Sequence, residues 1–570
     1  MQKLKMQAAD AISAAVSSLF APATLSAQEV FEMLEYPPDT KMGDLALPCF
    51  KLSRTLRRPP VKIAEDLANA IQSDAFSEVS ALNGYLNFKM NAATFASRIV
   101  NTVLDEGARY GATDEGKGKT VVLDYSSPNV AKPFHIGHLG TTVIGHSLRL
   151  LHEFVGYKCI GINHLGDWGT QFGKLMVAYR TWGSREEVEE KEIDELVRLY
   201  VKFHEEAEKD PALNDAARAE FAKLEAHDEE NLALWRWFVN ISLREYQKTY
   251  RMLNIEFDSY NGESFYTDLM PPQIQKMKDM GLLTIDDGAS VVNLEEWNMP
   301  PCLILKRDGS TLYPTRDIAA AVYRKETYDF DKCIYVTSAG QCLHFAQWFK
   351  VVELMGYDFY DKLLHVPYGT VSINGEKLAT RTGNVILLKD LFAQAIEKVK
   401  GVMAEKHSAA AADEKTAEEV GVGAIVFYYL SNNRMRDINF MLEDALSFDG
   451  NTGPYAQYTY ARCSSLLEKA GAGAYRCHME SATEEEVALA RTLALFPEKI
   501  QGALSESEPS VVTRYILELC AAFNRFYHDC QILSAEDEAV KENRLALTQA
   551  VKTVLGTALH LICMPTPNKI

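Results

Sequence analysis

The segment DYSSPNVAKPFHIGHLG, Asp124 to Gly140, holds residue types suited to phosphate chemistry. His135 and His138 stand three apart with Gly137 between them, and Lys132 lies three positions before the first imidazole. The strand-like VVLD runs into a loop and then into a helix starting near Pro133 or Phe134. Loops at the carboxyl ends of parallel strands are where α/β proteins bind ligands. A helix N-terminus offers partial positive charge to phosphates. Gly137 has no side chain to block a flat adenine or ribose. With two imidazole donors and one ammonium added, the set suits in-line attack at a phosphoryl centre, which needs positioning and charge more than acid–base help. A second basic stretch, GEKLATRTGN (Gly375 to Asn384), contains Lys377, Thr380 and Arg381; it is either a polyphosphate-binding loop or an ordinary basic hairpin turn. In TLYPTRDIAAA, Asp317 follows Tyr313 by four. Thr315 there would cap a helix and Asp317 would sit in its first turn, whether or not they also bind a ligand. Asp124 ends an apolar strand at a sheet crevice, a reasonable place for a functional acid.

The elements that must position these groups follow from pattern. TVVLDYSS, then GHLGTTVIGHSLRLLHEFVG, then YKCIGINHLGD reads as strand, helix, strand, the order of a parallel α/β sheet. A charged helical region from about Ser184 to Asn231 has an apolar stripe of Leu196, Leu199, Tyr200 and Phe203, and reads as inserted helices on the rim. Strand-like segments resume in GASVVNL, PCLILKRDGS and KCIYVTS. Before this region lies a small α+β unit with the turn-rich PPDTKMGDLALP, a basic helical stretch and the strand-like NGYLNFKM. GATDEGKGK (Gly111 to Lys119) reads as a linker, and AAAADEKTAEE (Ala409 to Glu419) as an exposed helical or disordered loop. Beyond about Gly421 the pattern is almost entirely helical. The domain boundaries expected are 1–112, 113–420 and 421–570.

The chain has 570 residues, 47% of them apolar and 24% charged, which fits a soluble multidomain protein and excludes a largely disordered one. The net charge of −19 repels phosphate overall, so any nucleic-acid contact must use local basic patches. Ten cysteines occur without a CxxC pair, which argues for a reduced, cytoplasmic protein without a structural zinc site. Lys3 and Lys5 before the run Ala11 to Ala27 faintly resemble a secretory signal, but Asp10, Ser13, Ser17 and Ser18 interrupt it. Ile12, Val16 and Leu19 at helical spacing make an amphipathic helix the better reading. No stretch is long and apolar enough to span a bilayer.

HIGH is the signature of class I aminoacyl-tRNA synthetases and related nucleotidyltransferases, and the longer SSPNVAKPFHIGHLG resembles the arginyl-tRNA synthetases. GINHLGDWGTQFGKL, GESFYTD, DGSTLYPTRDIA and NTGPYAQYTYAR extend that resemblance over nearly the whole chain. It implies a Rossmann-type catalytic domain with helical insertions, an N-terminal α+β domain that contacts the tRNA elbow and an all-α anticodon-binding domain. The implied reaction is ATP-dependent activation of L-arginine to arginyl-adenylate and transfer to the terminal adenosine of its cognate tRNA. ATP, with Mg²⁺ bound through it, is the implied cofactor; no structural metal, no membrane and a monomer are expected. GEKLATRTGN resembles the family's KMSKS-type loop but has Thr380 and Arg381 where that loop ends Lys-Ser, and Lys132 is implied to replace the missing lysine. Lys132, His135, His138 and Lys377 would be catalytic, and Gly137, Thr380 and Arg381 would join them around ATP. Tyr313 and Asp317 would take the arginine side chain, Asp124 and Asn129 its main-chain groups, and Gln341 would line the same pocket. For tRNA the candidates are Lys51, Arg54 and Arg58 of the basic cluster, or else a solvated helix face, and Tyr455, Tyr458 and Arg462, or else core aromatics. The ending MPTPNKI departs from the family's usual Pro-Glu-Arg-Met, which puts a terminal anticodon contact in doubt. The family characteristically needs tRNA bound before the adenylate forms.

Overall fold

The computed structural model describes residues 1–38, 42–73, 75–132, 134–377, 387–406, 413–448, 450–471 and 473–570. They divide into two compact units: Met1–Gly111 with Thr459–Gln501 and Tyr515–Thr557, and Ala112–Tyr458 with Gly502–Arg514 and Ala558–Ile570.

In the first unit, strands β1 (Leu45–Pro48), β2 (Glu78–Leu82) and β3 (Tyr85–Lys89) form an antiparallel sheet in the order β1-β3-β2. The turn joining β2 to β3 is Asn83-Gly84, with φ of 51° and 83°. Positive φ at both positions is what a two-residue hairpin turn requires, and Asn-Gly supplies it at least cost. The helix Pro60–Ala70 begins with Pro at its first turn, where the missing N–H would have had no partner.

The second unit is built on four parallel strands: β4 (Thr120–Asp124), β5 (Lys158–Ile162), and, after a long insertion, strands near 332–368. The insertion contains the helices Thr170–Trp182, Arg185–Lys191, Ile193–Lys209, Ala212–Glu225 and Glu229–Met252. It then forms an antiparallel sheet, β6 (Leu283–Asp286), β7 (Ala289–Val292) and β8 (Cys302–Leu305), so GASVVNL and PCLILKRDGS are strands apart from the parallel sheet. Strands β9 (Lys332–Ser338) and β10 (Leu363–Tyr368) complete the order β10-β9-β4-β5. Val121, Val122 and Leu123 are all fully buried, which explains why β4 reads as a continuous apolar run: helices cover both its faces. The chain leaves β4 toward β5 on one side and β9 toward β10 on the other. The carboxyl ends of β4 and β9 therefore flank the reversal of strand order, where open α/β sheets bind ligands. The helix Ile136–Phe154 packs closely on this sheet because Gly145 has no side chain: a Cβ there would lie 2.3 Å from the Tyr125 Cβ.

A last small sheet orders β12 (Glu376–Lys377), β11 (Val371–Ile373) and β13 (Ile438–Phe440). The remainder is helical, including Glu414–Leu430, Gly453–Ala470, Ser510–Asp529 and Glu538–Leu561.

Candidate active site

The helix Ile136–Phe154 starts on a reciprocal cap made by its two signature histidines. His135 is the N-cap in extended geometry; its Nδ1 accepts the Gly137 N–H at 3.0 Å, and His138 Nδ1 accepts the His135 N–H at 3.2 Å. The cap fills two of the orphan donors of the first turn and fixes the chemistry of both rings. A nitrogen that accepts carries no proton, so both rings are held neutral with the proton on Nε2. Burial favours the same state: it lowers His135 to about 4 and His138 to about 3, with nearby Lys132 adding to both shifts. The site thus holds two neutral Nε2–H donors at a positive helix end. Phe134 stacks on His138 at 5.1 Å and keeps that ring in place.

The loop entering this helix is strained. Ser126, Ser127 and Ala131 all have positive φ, at 71°, 46° and 58°. Three non-glycine residues in that region within six positions mark a conformation held by its surroundings. Asp124, at the end of β4, places Oδ2 2.8 Å from Arg324 Nη2, and its Oδ1 accepts from Ser127 Oγ at 2.9 Å. Arg324 is 1% exposed, and its Nη2 also lies 3.3 Å from His164 Nδ1 after β5. Asn129 is paired with Gly166 across a parallel bridge, and a Cβ on Gly166 would come within 2.1 Å of Asn129 Oδ1.

Asn129 and Lys132 open onto a cavity of about 870 Å³, also lined by Trp168, Glu263, Tyr313 and Arg316. Tyr313 begins the helix Tyr313–Tyr328 and is 65% exposed. Thr315 does not cap this helix as the sequence suggests: the N-cap is Leu312, the Thr315 hydroxyl donates to the Ile304 carbonyl at 2.7 Å, and Asp317, the fifth helical residue, lies beyond the first turn. Arg316 and Glu263 form an ion pair at 2.7 Å. Burial, reinforced by Asp317 and Asp167, nevertheless raises the Glu263 carboxyl to about 7 against the pull of Arg316. Asp317 is 2.6 Å from His344 Nε2, and Gln341 is exposed in the turn Ala339–Gln341 after β9. Neither Asp317 nor Gln341 lines the cavity that Tyr313 and Glu263 share. Lys377 ends β12, Thr380 and Arg381 lie outside the described residues, and Leu387 forms an antiparallel bridge with His135. Among the described residues no group of three or more His, Cys, Asp or Glu is placed to hold a metal ion.

The family model described as tRNA synthetases class I (R), catalytic domain, matches residues 99–442. The chain is 50% identical to the arginine–tRNA ligase of Alkaliphilus metalliredigens over 547 residues, 95% of this chain and 96% of that one. The chain belongs to the arginyl-tRNA synthetases. Models for the arginyl-tRNA synthetase N-terminal domain and the DALR anticodon-binding domain match residues 6–90 and 456–570. The arginine–tRNA ligase of Clostridioides difficile is 50% identical over 549 residues, 96% of this chain and 97% of that one. The solved arginyl-tRNA synthetase of Thermus thermophilus matches with a TM-score of 0.80 at 25% identity, covering 99% of each chain.

An arginyl-tRNA synthetase also needs surfaces for tRNA, and the candidates differ in setting. Lys51 pairs with Glu35 at 2.5 Å and Arg58 with Asp66 at 3.0 Å, so part of the N-terminal basic cluster is neutralised locally. Arg54 lies in the short helix Ser53–Leu56. On the helix Gly453–Ala470, Tyr458 is 41% exposed, Tyr455 is half-buried, and half-buried Arg462 donates to Asn524 at 2.5 Å. Sequence reading did not single out Glu263, Arg316, Arg324 or His344. Glu263 and Arg316 do stand inside the recognised segments GESFYTD and YPTRDI, whereas nothing local marks Arg324 as the partner of Asp124.

Proposed function

We propose that this arginine–tRNA ligase activates L-arginine with ATP and passes the arginyl group to the terminal adenosine of its cognate tRNA. The observation that supports this most is the pair of neutral Nε2–H donors at a helix N-terminus, which directly follows Lys132 of a cavity also lined by Asn129, Tyr313 and Glu263. ATP lies with its phosphates toward His135, Gly137, His138 and Lys132, completed by Lys377, Thr380 and Arg381. Mg²⁺, carried on the ATP phosphates, would add positive charge there. The arginine guanidinium meets Tyr313 and Glu263 in the cavity, and Asp317 and Gln341, which stand outside that lining in the free protein, would have to turn toward it; its main-chain groups meet Asn129 and Asp124, the latter aimed by Arg324. The arginine carboxylate attacks the α-phosphate and pyrophosphate leaves. The donors stabilise the charge that builds on the phosphoryl oxygens without giving up a proton. The tRNA 2′-hydroxyl then attacks the activated carbonyl and AMP leaves. Residues 1–112 and 421–570 contribute tRNA contacts, with Lys51, Arg54 and Arg58 in one and Tyr455, Tyr458 and Arg462 in the other, while 113–420 carries the chemistry. The working form is a cytoplasmic monomer.

Asp317→Asn tests the arginine reading. It keeps the shape and removes the charge, and truncating a buried charged pair costs roughly 2–5 kcal/mol. The Michaelis constant for arginine should rise far more than that for ATP. Equal rises would assign Asp317 to its contact with His344 alone.

A further inference from the structure

One face of the helix Glu229–Met252 holds the strained loop from behind. Ser242, Tyr246 and Tyr250 recur every four residues and are all buried. The Tyr246 hydroxyl lies 2.7 Å from the Asn129 carbonyl and 2.8 Å from the Lys132 carbonyl, sharing one proton between them. Between those carbonyls sits left-handed Ala131, whose N–H donates to Ser242 Oγ at 3.0 Å. The Tyr250 hydroxyl is 2.7 Å from Ser126 Oγ and accepts from Asn163 Nδ2 at 2.9 Å. The Tyr246 ring packs on Phe134 at 5.5 Å, one residue before the histidine cap. Glu245, its neighbour, is 3.7 Å from Lys389, two residues beyond the Leu387–His135 bridge.

We propose that Tyr246 is a positioning residue for the adenylation step. Its hydroxyl sets the backbone of Asn129 and Lys132, and so aims the two side chains that face arginine and the phosphates. The inference rests on the role given to Lys132 above. The physical need is plain: a left-handed alanine is unfavourable and does not keep its conformation unaided. Both ends of the turn are therefore tied to a single rigid donor. Tyr246 touches neither substrate, so its effect on catalysis must pass through the residues it aims.

The test is a double-mutant cycle on full-length enzyme, read as kcat/KM for arginine in tRNA charging, with thermal midpoints recorded for all four proteins. Tyr246→Phe keeps the buried ring against Phe134 and removes only the hydroxyl. Small misplacement of reacting groups costs up to about 100-fold in rate. Tyr246→Phe alone should lower kcat/KM by about 100-fold while the protein remains folded. In the Lys132→Ala background the same change should cost at least about tenfold less, because the group it aims is gone. A loss of equal size in both backgrounds, or a coupling below about tenfold, overturns the proposal and leaves the Lys132 reading intact. Near-wild-type charging by Lys132→Ala alone would instead refute that reading and this proposal with it.

Discussion

At the scale of single residues, the two signature histidines use one ring nitrogen for structure and leave the other for the proposed chemistry. Nδ1 of each accepts a backbone N–H, and Nε2–H is left for substrate. Lys132 differs: its side chain lines the cavity, and the backbone bond to Tyr246 uses only its carbonyl. The two substitutions should therefore separate. Lys132→Ala should keep the wild-type unfolding midpoint and lose on the order of 10²–10³ in adenylate formation, the usual cost of one preorganised donor. His138→Ala should lose comparable activity and also about 1 kcal/mol of stability, since it removes an acceptor from the helix cap. Single-turnover adenylate formation alongside chemical denaturation checks both. A Lys132→Ala enzyme with wild-type chemistry would remove the ammonium from the mechanism.

At the scale of elements, the approach of the strand exits decides where Asn129 points. Gly166 follows β5 and bridges to Asn129, with no space for a side chain between them. Its φ is not in the positive region, so alanine is permitted by the backbone and excluded only by Asn129. Gly166→Ala should fold and raise the Michaelis constant for arginine by roughly 10–100-fold through displaced geometry; an unchanged constant would show that Asn129 does not hold the amino acid. Much of this layer was legible in the sequence. TVVLD, YKCIGI and KCIYVTS are strands of one parallel sheet, and the signature helix begins within three residues of the expected point, at Ile136. Local pattern could not reveal pairings across hundreds of positions. Asp124 and Arg324 are 200 apart, and Tyr246 reaches Asn129 across 117 residues, each from a helix whose own periodicity is satisfied by burial. Strand β10, LLHVPY, also escaped notice, because His365 and Pro367 break an apolar run that its parallel pairing with β9 makes whole.

At the scale of the whole molecule, buried neutral histidines link folding to pH. Burial lowers His135, His152 and His365 to about 4, and His138 and His146 to about 3. Free histidine titrates near pH 6.5, so between about 6.5 and 4 the unfolded chain binds more protons than the folded one. These groups contribute their full stability above pH 6.5, and it is lost as pH falls through that window. Glu263, raised to about 7, and the likewise raised carboxyls of Asp167 and Glu225 work in the opposite sense, against these five histidines and the also lowered His164 and His204. The denaturant midpoint should fall between pH 7 and pH 5, and a flat profile would mean that the histidines are not held neutral. The net charge of −19 means that tRNA must be captured by local surfaces. A hundredfold shift toward a competent conformation takes about 2.7 kcal/mol of differential affinity, small against the contacts a tRNA can make. That this active site adenylates arginine is tested most directly by ATP–pyrophosphate exchange. The assay presents each of the twenty amino acids in turn, with cognate tRNA whose terminal ribose has been oxidised. Exchange with arginine alone is the expected result; exchange driven by a different amino acid, or none with arginine, would contradict it.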